Sequence, residues 1–196
     1  MKAVEDFEKT IASFYNAPYA IATDCCTHAI ELCLRYLNSN DVSCPNQTYL
    51  SVPMTFIKLG LRWTFTDNMW KEYYYIGKTN IIDAAVYWKQ NGYIKDSFMC
   101  LSFQYKKHLN VGRGGMILLD NSVAYDKISK MRYDGRQNNI PWAEQDIDIV
   151  GYHYYMTPET ANLGMERFEL VKDMPSRTWT NEDYPDLRKN KVFNNA

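Results

Sequence analysis

Five segments of the sequence place reactive or ligand-holding side chains where a strand-like run gives way to a turn. Lys107 lies in Ser102-Phe103-Gln104-Tyr105-Lys106-Lys107-His108-Leu109, just ahead of the glycine turn Gly112-Arg113-Gly114-Gly115. A lysine so placed acts as a nucleophile when its neighbours lower its pKa. The plain alternative is a solvated side chain beside a turn that glycine makes easy. Asp83 closes the apolar pair Ile81-Ile82, and an acid at the carboxyl end of a buried strand must find a partner. That partner is either a helix N-terminus or a protonated ring nitrogen of a ligand. Thr23-Asp24-Cys25-Cys26-Thr27 leads straight into a helix, whose first N–H groups welcome an anion, with the Thr27 hydroxyl as a further donor; an ordinary cap is the simpler reading. In Pro45-Asn46-Gln47-Thr48-Tyr49, Tyr49 can stack on a flat ring or fill core. The fifth segment, Gly151-Tyr152-His153-Tyr154-Tyr155-Met156-Thr157, holds His153. It shares the chain only with His28 and His108, scattered and without supporting carboxylate spacing, so no metal site is expected.

These segments need elements to position them. Val4, Phe7, Ile11 and Phe14 recur at helical spacing and predict an amphipathic helix over 3–15. Residues 18–22 read as a strand, and Asp24 or a neighbour as the cap of a second helix with Ala29, Cys33, Tyr36 and Leu37 along its apolar side. Strands are expected at 42–44, 62–66, 80–84, 98–103 and 116–119, with a helix over 50–59 and an irregular aromatic stretch at 67–78. Asn121 caps a helix to about residue 132, residues 133–150 are loop-like, and Thr157 caps a last helix. Strands alternating with helices predict an α/β domain: a mostly parallel mixed sheet flanked by helices, with ligands at the carboxyl ends of strands. That domain takes residues 1–172, and 173–196 form a polar C-terminal tail.

The whole-chain properties narrow the function classes. A chain of 196 residues, 46% hydrophobic, buries one sizeable core. With 22 basic and 23 acidic residues the net charge is −1, which offers no field for nucleic acid or an anionic membrane. No apolar run is long enough to span a membrane, and Met-Lys-Ala-Val-Glu-Asp lacks the core of a signal peptide. Five cysteines, two of them the adjacent Cys25 and Cys26, suit neither a disulfide framework nor a zinc site. The expected setting is a reducing cytoplasm.

The succession of these motifs is more specific than any one of them. The Thr27 loop, Pro45–Tyr49, Ile82-Asp83-Ala84-Ala85, Ser102-Phe103 through Lys107, Gly-Arg-Gly-Gly-Met and Gly151–Thr157 together resemble the DegT/DnrJ/EryC1/StrS aminotransferases. The likeness runs from about Phe7 to Leu170. It implies a pyridoxal-phosphate (PLP) protein built like the large domain of the fold-type I PLP enzymes. Lys107, rather than Lys106, would hold the cofactor as a Schiff base. Asp83 would face the pyridine nitrogen, Tyr49 would stack on the ring, and Ser102, Cys26 and Thr27 would hold the phosphate. His153 would reach the phosphate of a partner subunit across a homodimer.

The implied activity is transfer of an amino group from a small-molecule amine donor to a keto acceptor, in this family mostly a nucleotide-linked keto sugar. Decarboxylation or dehydration by the same cofactor, or a catalytically decayed dimeric binding module, are the alternatives. The sequence departs from the family at several places. Cys26 replaces a glycine, Val86 a histidine or glutamine, His153 an asparagine and Tyr155 an arginine. The stretch between Asp67 and Asn80 is short, as though a β-α unit were deleted, and the C-terminal small domain is missing. Arg177 and Arg188 are the only arginines of the tail that could clamp a substrate, and a solvated surface is the alternative for both.

Overall fold

The computed structural model describes residues 2–193; Met1 and residues 194–196 of the tail lie outside the described residues. Helix α1 (Lys2–Tyr15) buries Val4, Phe7, Ile11 and Phe14, as their spacing predicts. It leads into β1 (Tyr19–Thr23), α2 (Cys26–Tyr36), β2 (Asp41–Pro45), α3 (Ser51–Lys58) and β3 (Arg62–Thr66). Pro53 fits inside α3 because it stands in the first turn, where its missing N–H has no intrahelical role. There follow β4 (Tyr74–Tyr75), β5 (Ile81–Asp83), β6 (Phe98–Ser102), β7 (Gly115–Leu119), α4 (Ser122–Met131) and α5 (Pro158–Val171). The Asn121 side chain caps α4 by accepting from the Ala124 N–H at 2.9 Å, and the Thr157 hydroxyl caps α5.

The chain is α/β with a mixed sheet and flanking helices, but its strands are not mostly parallel. The main sheet is five-stranded in the order β1-β7-β6-β5-β4, and β2-β3 form a second, two-stranded parallel sheet. In the main sheet only β5 and β6 run parallel; β1–β7, β6–β7 and β4–β5 are antiparallel. The connections explain this. Parallel neighbours need a crossover, which the long 84–97 connection provides for β5–β6 and α3 for β2–β3. Residues 76–80 and 103–114 are plain turns that send the chain straight back. The short 67–80 segment supplies only β4, and Gly77 N–H donates to Ser43 O at 2.8 Å to tie the two sheets together.

Both faces of the main sheet are buried, so its strands read as unbroken apolar runs. Ile117 and Leu119 of β7 face α2 and α4, whereas Met116 and Leu118 face α1 and α5. Residues 173–193 pack back against the fold rather than trailing away from it. Thr180 bridges to Lys71 and Asp186 to Gln47, Leu187 N–H donates to Asn46 O at 2.9 Å, and Leu187 and Phe193 are buried. Among the described residues, no helix is long and apolar enough to cross a membrane.

Candidate active site

A cavity of about 750 Å³ opens where β5 and β6 end and α2 begins, within the range of small-molecule sites. Six residues singled out in the sequence line it: Cys26, Thr27, Tyr49, Asp83, Ser102 and Lys107. His153 does not. Its side chain is 71% exposed, Nδ1 lies 3.1 Å from Asp134, and its ring packs edge-on to Tyr155.

Lys107 is presented by a tight loop between β6 and β7. Phe103 N–H donates to Gly114 O, Tyr105 N–H to Gly112 O and Lys107 N–H to Gln104 O, and Gly112 takes the left-handed φ of 85° that this reversal needs. Lys106 is exposed on this loop, whereas Lys107 is half-buried. Burial lowers the Lys107 pKa; Asp83 and Cys26 pull the other way, and Lys106 adds to the depression. Its Nζ stands 5.6 Å from the centre of the Trp179 ring.

Asp83 is 6% exposed at the end of β5. Oδ1 accepts from the Ala85 N–H at 3.0 Å and Oδ2 from the Tyr74 hydroxyl at 2.6 Å. Burial pushes its pKa up, while Tyr74, Ala85 N–H and Lys107 restrain it. The acid and the amine are therefore each disfavoured by burial in their charged form, and each is the other's counter-charge.

The start of α2 faces the same space. Its cap is Cys25 with no side-chain hydrogen bond, not Asp24, because the Asp24 carboxylate is already bound to His28 Nδ1 at 2.6 Å and to Arg113 Nη2 at 2.8 Å. The first-turn N–H groups thus open toward the cavity end beside the Thr27 hydroxyl, which shares a 2.8 Å hydrogen bond with Ser51. Ser51 lines the cavity too, and sequence reasoning missed it. The Cys26 thiol bonds Cys100 O at 3.5 Å, and burial holds it well above the usual thiol range, so it packs as an uncharged side chain. Asp24, Cys25 and His28 bring possible metal-ligand atoms within 4.8 Å of one another, a convergence their spacing along α2 had not suggested. Burial works against a charged His28, but the Asp24 hydrogen bond and Cys25 outweigh it and raise its pKa to about 9. His28 and Arg113 both pair with the Asp24 carboxylate, an ion-pair network at the rim.

Gly115 makes the close approach of this loop to the sheet possible. A Cβ there would stand 2.4 Å from Cys25 C and Cys26 N, backbone atoms that cannot swing aside. Gly115→Ala is expected to destabilise the protein by about 3 kcal/mol, read as a lower urea midpoint at an unchanged slope.

The tail contributes what the sequence could not locate. Trp179 and Tyr184 line the cavity, and burial holds the Tyr184 phenol protonated, with Asp83 and Asp183 acting in the same direction. Arg177 pairs with Asp183 and stacks 4.1 Å over Trp179. A second cavity of about 400 Å³ lies on the other side of Lys107, and Val86 and Arg177 line it. Arg188 instead pairs with Asp186 and Asp67, lining neither cavity. Tyr155 bridges Thr23 of β1 and packs on Tyr133.

The sequence pattern of the DegT/DnrJ/EryC1/StrS aminotransferase family matches residues 2–94 and 80–184. No curated protein matches the chain. Among solved structures, AtS13 from Actinomadura melliaura superposes with a TM-score of 0.79 at 19% identity, over 88% of this chain and 61% of AtS13. 3-Amino-5-hydroxybenzoic acid synthase gives 0.74 at 19% identity, over 88% of this chain and 57% of its own. DesI, solved in the presence of its TDP-sugar product, gives 0.69 at 17%, over 87% and 53%. At such identities the likeness shows the fold, and this chain spans between 53% and 61% of these relatives' lengths.

Proposed function

The chain belongs to the DegT/DnrJ/EryC1/StrS aminotransferase family, and from that premise we propose that it is a pyridoxal-phosphate-dependent aminotransferase acting on a keto substrate, with nucleotide-linked keto sugars as the acceptor class. One observation carries this reading: Lys107 and Asp83 line one cavity, each perturbed by burial and each the other's counter-charge.

The donor set suits the cofactor. Lys107 offers an amine for its aldehyde and Asp83 a buried carboxylate for its ring nitrogen. Tyr49, half-exposed at the rim, offers a ring face. The first turn of α2 with Thr27, Ser51 and Ser102 offers amides and hydroxyls for its phosphate. Bound there, pyridoxal phosphate supplies the electron sink that makes a substrate's α-proton labile. The chain's own residues do the rest. Lys107 Nζ would hold the cofactor's aldehyde end and would serve as base and acid for that proton. Asp83 would keep a proton on the ring nitrogen, and Trp179 and Tyr184 form part of the cavity wall. Val86 presents no polar atom where relatives carry a histidine or glutamine, so orientation falls to the remaining contacts.

The working unit in this proposal is a homodimer with the sites at the subunit interface. Leu50, Met54 and Ile57 recur on an exposed side of α3, next to the cavity residue Tyr49. His153 stands clear of its own chain's cavity, held at Nδ1 by Asp134, and in this proposal serves a partner's phosphate. Purified protein given pyridoxal phosphate is expected to develop a visible absorbance band and a light-scattering mass of two chains. With an amine donor and a keto acceptor it should release a keto product; carbon dioxide instead would mark a decarboxylase. Protein that stays colourless with added cofactor sinks the enzyme reading.

A further inference from the structure

The acid at the end of β5 is held by a chain of hydroxyls. Tyr74 of β4 stands directly opposite Asp83 in the antiparallel pair. Its hydroxyl lies 2.6 Å from Asp83 Oδ2 and 2.6 Å from Thr48 Oγ1. The direction of this chain follows from chemistry. An ionised carboxylate only accepts, so Tyr74 donates to Asp83, and the Tyr74 oxygen is left to accept from Thr48. Asp83 Oδ1 meanwhile accepts from the Ala85 N–H. Each carboxylate oxygen thus carries one protein donor, which fixes the carboxyl plane. The Trp70 ring, 5.4 Å from that of Tyr74, braces the phenol.

We infer that Tyr74, itself oriented by Thr48, is a positioning residue for Asp83, holding the ionised acid in one orientation toward the ring nitrogen of the bound cofactor. The inference rests on the proposed function for the cofactor's identity, but not for the state of the acid. A carboxylate already holding two donors binds a further proton less strongly, so a proton shared with a ring nitrogen stays on the nitrogen. The titratable groups around Asp83 are Tyr74, Lys107, Cys26, Cys44, Cys100 and Tyr184. Burial keeps the thiols and phenols protonated, which leaves Lys107 as the neighbour able to carry a charge.

The test begins with cofactor-free protein. Carbon-13 NMR of the Asp83 carboxyl is followed against pH in the wild type, Tyr74→Phe, Thr48→Val and Thr48→Ser. Tyr74→Phe is expected to move the midpoint upward, Thr48→Val to move it less in the same direction, and Thr48→Ser to restore it. A residue that served packing alone would lower the melting temperature and leave the midpoint in place. Should Tyr74→Phe fail to fold, the Thr48 pair decides the matter alone. With pyridoxal phosphate labelled at the ring nitrogen, the nitrogen-15 shift should lie in the protonated range in the wild type and move toward the neutral range in Tyr74→Phe. An unchanged midpoint in folded Tyr74→Phe, or in folded Thr48→Val if that variant must decide, overturns the inference. A wild type that binds no cofactor counts against the proposed function, and the cofactor-free titration still decides the role of Tyr74.

Discussion

Lys107→Ala is expected to lower amine transfer by on the order of 10³-fold and to abolish the visible band that pyridoxal phosphate produces with the wild type. The size of the effect follows from the two jobs assigned to one nitrogen. In the proposed role the amine fixes the cofactor's aldehyde end and also serves as the base, whereas the other lysine of this loop, Lys106, is exposed. Burial already lowers the Lys107 pKa, which raises the fraction of neutral amine able to attack a carbonyl or take a proton. Alanine removes both functions at a cavity wall, where loss of the side chain opens space rather than a void in packed core. The unfolding free energy should therefore change by less than about 1 kcal/mol. Lys106→Ala is the control and should keep the band. Added methylamine should restore part of the activity of Lys107→Ala by replacing the missing base. A full band in folded Lys107→Ala would move the cofactor's attachment to another residue.

Asp83→Asn separates function from stability. The amide keeps the shape and removes the charge, so turnover should fall by on the order of 10²-fold or more. The visible band should persist, because the amine at position 107 is intact. The cofactor-free variant should nevertheless be the more stable protein. Burial raises the Asp83 pKa in the folded state above that of the unfolded chain. A group shifted in that direction contributes stability below its unfolded pKa and loses it as pH rises through the folded value. As pH rises through the folded value the wild type takes on the cost of a buried charge, which the amide is spared. The hydrogen bonds can adapt: the new amide N–H donates to the Tyr74 oxygen, Tyr74 turns its proton toward Thr48, and the amide oxygen keeps the Ala85 N–H. A gain of about 1 kcal/mol is expected at neutral pH, vanishing in acid where the wild-type carboxyl is also neutral. Equal melting temperatures of wild type and variant at both neutral and acid pH would show that Asp83 bears no such burden.

The two substitutions are complementary in what they report. Lys107→Ala removes band and turnover together, whereas Asp83→Asn removes turnover alone. A protein that merely bound the cofactor as a remnant would show the band lost in the first case and no turnover to lose in the second.

Much of the molecule was legible in the residues as written because it depends on local rules. The spacing of Val4, Phe7, Ile11 and Phe14 predicts α1, since side chains three and four apart share a helix face whatever lies against them. Asn121 and Thr157 act as caps because their short polar side chains reach the N–H groups of their own next turn. The cavity-lining residues at the ends of β5, β6 and β2 could be singled out because a strand end and the turn after it are neighbours in sequence as well as in space. What lay beyond reach depends on which distant segments meet. Strand direction is set by connection geometry, so apolar runs alone could not show that β1, β4 and β7 pair antiparallel. Asp24 or a neighbour could cap α2, and the neighbour Cys25 does so while Asp24 pairs with His28 and with Arg113, far along the chain. Trp179 and Tyr184 sat in a polar tail with nothing nearby to mark them as cavity walls, and Tyr74 in an irregular aromatic stretch with nothing to mark it as the partner of Asp83. Periodicity and capping are written into neighbouring residues; the burial that perturbs Lys107 and Asp83, and the partners that hold them, exist only once the chain has closed on itself.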